Sequence, residues 1–269
     1  MKKRIFTYLL TAVVGIFMVS SCNDNPSSSE EGPPDLPPAQ SMDMGFTEFE
    51  QFNDQQEKST ASTNNISRAF VTATVLKAIV DVNLAIPRAL LLAAENSEAE
   101  LNGDGEWEWS YSKTEGEHNY NVTLLATREG DDSVQWNFYV TNSPLGLDNA
   151  LFFSGETNEE GDQGTWTYYN LQNPGQEEEV STVSWTIEGE EELEIRLDVT
   201  SDRNDNLGDY ITYSSEGEIK TAVYFDASDD EITELQFNAD NYTGYIIAPN
   251  YNNGEKACWN SALQDVACE

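Results

Sequence analysis

The chain is short of the residues from which most catalytic and metal sites are built. It has one histidine, His118, and three cysteines, Cys22, Cys258 and Cys268. A tetrahedral zinc site draws on such ligands, and here too few exist to complete one. No nucleophile-elbow serine, catalytic cysteine or HExxH sequence accompanies the histidine, so triad and zinc-hydrolase chemistry have nothing to stand on. His118, in "GEHNYN", reads as a surface residue at a strand start. The sequence implies no metal and no cofactor, and it reads as non-enzymatic.

Basic residues are equally scarce. Thirteen Lys+Arg stand against 49 Asp+Glu, for a formal net charge of -36. That balance excludes nucleic acid as a partner, because phosphates require basic surface. It also argues against electrostatic adhesion to anionic lipid headgroups. The acids are spread along the chain, so they read as a solvated surface rather than a cation trap. Among so many acids a carboxylate pair carries no information, which makes a carbohydrate-active enzyme the least supported reading. "DRNDNLGD" (202–209) starts like a calcium loop, but Leu207 and Tyr213 stand where that loop needs Gly and Glu. It reads as a hairpin turn.

What is present begins with a targeting leader. "MKKRIFTYLLTAVVGIFMVSSC" has basic Lys2, Lys3 and Arg4, an apolar run from Ile5 to Val19, then small residues and Cys22. That ending resembles the lipobox of bacterial lipoproteins. Residues 1–21 are expected to be removed and Cys22 to carry the lipid, placing the protein in the cell envelope, most simply at the outer membrane. Residues 22–60, rich in Pro, Ser and acid, are expected to form a disordered tether. Within them "FTEFEQF" (46–52) is a candidate short amphipathic element. With Cys22 assigned to lipid, Cys258 and Cys268 form an even remainder in an exported chain and read as one disulfide.

No long uncharged apolar run follows the leader. The richest stretch, Ala69 to Ala94, is interrupted by Lys77, Asp81 and Arg88. Each charge near a bilayer centre costs roughly 2.5–3.5 kcal/mol, so the stretch reads as a buried helix rather than a span. At 100° per residue, Ser67, Thr74, Lys77, Asp81, Arg88 and Glu95 fall within about 80° of arc, and nearly everything else is apolar. The expectation is a helix within 61–100, capped by Asn65, enclosed on most sides, and kinked or broken near Asn83 to Ile86 by Pro87.

From Gly103 the texture becomes short alternating segments between Gly/Asp/Asn/Glu turns. "EWEWSYS" puts Trp107, Trp109 and Tyr111 on one face, and "SVQWNFYVT" does the same with Trp136, Phe138 and Val140. About eleven strands are expected between Glu106 and Ala248, in an antiparallel meander spanning 101–257. With residues 258–269 as a disulfide-closed hairpin, 61–269 reads as one mainly β (α+β) domain. The expected architecture is an open or half-closed barrel around or against the helix, with a β-sandwich as rival. Trp107, Trp109, Trp136, Trp166 and Trp185 are candidates for a concave aromatic face, either core or ligand-binding.

The order of parts (lipobox, the helix ending "AIPRALLLAA", the strands "GEWEWSY" and "GTWTYYN", and the closing "CWNSALQDVAC") resembles a family of uncharacterised lipoproteins from Bacteroidota-like bacteria. The resemblance implies architecture and location only. More distantly, a lipid-anchored open sheet with a helical plug is similar to the Lol lipoprotein carriers and their mycobacterial lipid-binding counterparts, which hold acyl chains on a concave face. The functional expectation is therefore an envelope lipoprotein that binds a hydrophobic ligand or an envelope protein. The alternative is a structural or surface-interaction protein whose interior is filled.

Overall fold

The structure, a computed structural model, describes residues 32–46, 64–130, 132–189, 192–202 and 205–268. Cys22, the leader and all of "FTEFEQF" except Phe46 lie outside them. Pro33 to Glu269 form one compact unit.

Alternation of large apolar and polar residues builds the sheet. After β1 (Ala99–Leu101) come β2 (Trp107–Glu115), β3 (His118–Glu129), β4 (Ser133–Asn142), β5 (Leu147–Asn158) and β6 (Gln163–Tyr169). Next are β7 (Glu179–Glu188), β8 (Glu192–Val199), β9 (Tyr210–Glu216), β10 (Ile219–Asp226), β11 (Glu231–Asn238) and β12 (Gly244–Ile247). The chain closes with β13 (Ala257–Trp259) and β14 (Asp265–Val266). Every strand pairs antiparallel with its sequence neighbours, so the fourteen form one unbroken meander that does not close on itself. The calcium-like stretch joins β8 to β9, and the carboxylate of its buried Asp209 accepts from the Tyr224 hydroxyl and the Ala227 amide.

Among the described residues one α-helix, α1 (Asn64–Ala94), accompanies the sheet, with short 3-10 turns elsewhere. It touches β2 near one edge and β12, β13 and β14 at the other, so it bridges the two ends of the curled sheet. Tyr111 Oη of β2 donates to the Leu90 carbonyl at 2.6 Å. At the other end the Asn65 side chain donates to the Cys258 carbonyl and accepts from Tyr251 Oη. Asn65 is therefore spent on tertiary contacts rather than capping. The cap comes from β14, where Asp265 Oδ1 accepts the Asn65 amide at 3.0 Å.

Three further expectations are corrected. Of the kink or break expected near Asn83 to Ile86, the break is not found: the helix runs through Pro87 without interruption. Pro87 is buried against the core, and Asn83, which loses the Pro87 amide as its donor, turns its own side-chain amide onto the Ile79 carbonyl. The helix is also not enclosed: one stripe, including Ala73, Leu76, Val80 and Leu84, is buried, while Val71, Val75 and Val82 are exposed. Finally, the tether assigned to 22–60 is contradicted over Pro33–Phe46, which packs into the core. Ser41, Met42, Met44 and Phe46 are buried. Trp166 Nε1 donates to Ser41 Oγ at 3.2 Å, Phe46 packs on Tyr213 with ring centroids 5.9 Å apart, and Asp43 pairs with Arg88 of α1 at 2.6 Å. Tertiary burial on the inner face of β6 and β9 overrides the polar, proline-rich composition that argued for disorder.

Candidate functional site

Two concavities stand out among the described residues. The larger, about 860 Å³, is a furrow over β5–β9 lined by residues such as Thr165, Ser184, Glu194 and Thr212. Its one arginine, Arg196, is held by Asp198 through two hydrogen bonds and stacks on Tyr210. This is a charged, hydroxyl-bearing sheet surface.

The smaller, about 520 Å³, lies between α1 and the sheet. Its volume is in the range of small-molecule sites. Val82, Asn83, Ile86 and Pro87 of α1 form one wall; Tyr120, the Leu145–Leu147 turn, Phe152, Tyr168 and Val180 belong to the opposite side. None of its lining residues is charged, in a chain where 23% of residues are. In so acidic a protein that exclusion is the site's main chemical signature.

Local irregularities in the sheet shape this cleft. Between β4 and β5 the register shifts twice, once between Val140 and Asn142 and once where Phe138 faces Phe153 and Tyr139 faces Leu151, leaving Phe152 unpaired. Opposite β6, Tyr168 faces Ser181 and Tyr169 faces Glu179, leaving Val180 unpaired. Bulges of this kind re-aim a side chain, and both bulged residues line the cleft. Between β4 and β5 the Asn142 side chain accepts from the Leu145 amide, and Gly146 at φ 71° closes the turn that presents Leu145 and Leu147. After β6, Asn170 accepts from the Gln172 amide and donates to Glu178, fixing the loop that carries Leu171 over the cleft.

One polar group in the wall is unsatisfied. The Tyr168 hydroxyl is buried without a hydrogen-bond partner, on a residue only 3% exposed. Burial pushes its pKa well above the ordinary tyrosine value, so it stays a neutral donor across the physiological range. A buried hydroxyl with no partner costs about 1–3 kcal/mol, which a ligand oxygen would recover. The neighbouring Tyr169 hydroxyl has a partner in Ser154 Oγ at 3.0 Å.

The five tryptophans lie elsewhere. Trp109, Trp136, Trp166 and Trp185 are core residues on the inner face, and Trp107 is half-buried against them. Trp109 packs on Trp136 at 5.8 Å and Trp166 stacks on Trp185 at 5.2 Å. The indole N–H groups of Trp136, Trp166 and Trp185 donate to Thr157, Ser41 and the Gly161 carbonyl. None of the five lines the cleft between α1 and the sheet. Cys258 and Cys268 are joined in a disulfide, their Cα atoms 5.3 Å apart, across the β13–β14 hairpin. The ring of His118, at the start of β3, lies 6.3 Å from that of Tyr120.

Sequence reasoning passed over Tyr168, Phe152, Val180 and Val82. A signal for the bulge was present: the doublet Phe152-Phe153 in "ALFFSG" breaks the alternation that a flat strand keeps. No protein-family model, no curated protein and no solved structure matches this chain.

Proposed function

We propose that this chain is a lipid-anchored lipoprotein of the bacterial cell envelope, attached through Cys22, that binds a hydrophobic molecule with an oxygen-bearing head in the cleft between α1 and the sheet. The carrying observation is an uncharged cleft of about 520 Å³ with Tyr168, whose hydroxyl is buried and unpartnered, among its lining residues. Phe152, Val180 and Ile86 supply apolar surface for an acyl chain or similar body, and Tyr168 donates to its carbonyl or carboxyl oxygen. The protein acts as a binder rather than a catalyst. Nothing in this cleft supplies a nucleophile with an adjacent base.

The test is native mass spectrometry of the full chain purified from membranes, followed by titration with a fluorescent fatty acid. Co-purified lipid and saturable one-to-one uptake are expected. Val180→Glu places a charge in the cleft and abolishes uptake with the circular dichroism spectrum intact. Tyr168→Phe weakens fatty-acid binding by roughly fivefold, about 1 kcal/mol, while leaving a purely hydrocarbon probe unaffected. A homogeneous apo mass with no uptake would reject the reading. Loss of labelled palmitate in Cys22→Ala tests the anchor separately.

A second reading, a structural envelope protein without a ligand, draws on one observation: Pro33–Phe46 already occupies part of the inner face. It is favoured if the cleft takes up no probe at all.

A further inference from the structure

The outward face of α1 is apolar where an ordinary surface helix is polar. Val82, at its centre, is 87% exposed, and Val71 and Val75 are each more than half exposed. Along this face Val75, Ala78, Val82, Ala85, Ala89 and Leu92 recur at alternating spacings of three and four, the a/d seam of a coiled coil. The buried stripe that packs on the sheet lies on the opposite side, so the seam is not an extension of the core. We propose that this seam is an interface between two copies of the chain, packed antiparallel about a two-fold axis that passes between Val82 and Ala85.

The charges on its edge choose both partner and register. Thr74, Asp81, Arg88 and Glu95 recur every seven residues beside the seam. In an antiparallel pair with Val82 opposite Ala85 of the second copy, this edge meets itself: Asp81 faces Arg88 and Arg88 faces Asp81. The same register sets Val75 against Leu92 and Ala78 against Ala89, and brings the two copies of Ile86 to within about 8 Å of each other along the helices. Sliding one heptad either way brings Asp81 onto Asp81, or Arg88 onto Arg88 with Asp81 onto Glu95. A parallel pair sets Asp81 against Ile86 and Arg88 against Ala93. Only one arrangement complements both charge and shape, and it is isologous, as closed dimers are. Asp81 and Arg88 also hold intrachain partners in Lys77 and Asp43, so each junction is a four-charge cluster. A lipid surface fits less well, because Asp81 and Glu95 flank the seam in a chain of net charge -36.

The seam shares Val82 and Ile86 with the wall of the cleft, but its test uses no ligand of the cleft. Its test is cross-linking of the full chain in membranes with a short bismaleimide, judged against the unsubstituted chain treated alike. Ile86→Cys is expected to give a covalent dimer. Val75→Cys is not, since the two copies of residue 75 stand about 25 Å apart along the helices. No dimer at Ile86→Cys, or an equal yield at Val75→Cys, overturns the arrangement. So does an environment-sensitive label at Val82→Cys that reports lipid while Ile86→Cys stays monomeric. Sedimentation of the purified chain tests the register: Asp81→Arg should raise the dimer Kd roughly tenfold, and adding Arg88→Asp should restore it to within about threefold. Failure of that rescue overturns the charge pairing.

Discussion

Replacing Met42 or Met44 by alanine tests whether the segment before α1 is part of the folded unit. Both side chains are 1% exposed and belong to the single core cluster of sheet and helix. A buried Met→Ala change removes transfer energy and leaves a cavity, together about 2–5 kcal/mol. Taking 3 kcal/mol and a urea m-value of about 3 kcal/mol/M for a unit of this size, each midpoint should fall by about 1 M. Ser41→Ala removes the acceptor of the buried Trp166 indole and should cost about 1–3 kcal/mol. The comparison is Gln40→Ala, whose side chain is exposed on the same 3-10 turn and which should stay within about 0.5 kcal/mol. The assay is equilibrium urea unfolding of the full chain, followed by tryptophan fluorescence. Midpoints for Met42→Ala and Met44→Ala indistinguishable from that of Gln40→Ala would refute the packing and return the segment to a tether.

Reducing the Cys258–Cys268 disulfide opens a loop of ten-residue separation, worth about 3 kcal/mol by chain entropy, and the midpoint should fall accordingly. Asp265→Ala should cost about 0.5–2 kcal/mol through the lost cap, and less once the disulfide is reduced, because the same hairpin presents Asp265 to α1. Gly164→Ala sets a methyl group into the Trp185 ring and should cost about 1–3 kcal/mol, whereas Gly103→Ala, with open space around it, should be nearly neutral. Tyr168 and Tyr111 have pKa values raised by burial, so their stabilising contribution is complete below the unfolded value near 10 and is lost as pH climbs above it. The contribution of these two tyrosines to the unfolding free energy measured in urea should therefore be flat to about pH 10 and then fall, by about 1.4 kcal/mol per pH unit per tyrosine, with a shallower fall in Tyr168→Phe.

Much of the sheet was legible because its determinant is local. Alternating positions must face opposite sides, and the about eleven strands expected between Glu106 and Ala248 correspond to β2 to β12. β1 and β14 are too short to carry a period, and β13 disappears into the cysteine hairpin. Gly155, Gly164 and Gly244 each stand opposite a tryptophan, Trp166, Trp185 and Trp259, whose ring fills the space a side chain would take. That pairing explains strand glycines that look like breakers in isolation. Pro33–Phe46 misled because composition averages over a short pattern. Met42, Met44 and Phe46 alternate with Asp43 and Gly45, a period of two inside a proline-rich stretch. The cleft was illegible for a different reason, since bulges depend on register against neighbours that the sequence does not display.

The helix carries the last step. An all-round apolar helix has two physical explanations, enclosure on every side or two separate partners on opposite faces, and hydropathy cannot tell them apart. The structure buries one stripe on the sheet and leaves the other to solvent, which favours two partners. Val82 and Ile86 then belong both to the proposed seam and to the wall of the cleft. If both readings hold, docking a second copy reshapes the wall a ligand touches, and the two equilibria are linked. Linkage is reciprocal: whatever factor a bound fatty acid applies to the dimer constant, dimerisation must apply to fatty-acid affinity. Measuring dimer dissociation with and without ligand, and ligand affinity in the unsubstituted chain against Asp81→Arg, gives two independent values of that factor. Agreement on a value other than one places cleft and seam on one helix wall acting together; a factor of one in both separates them.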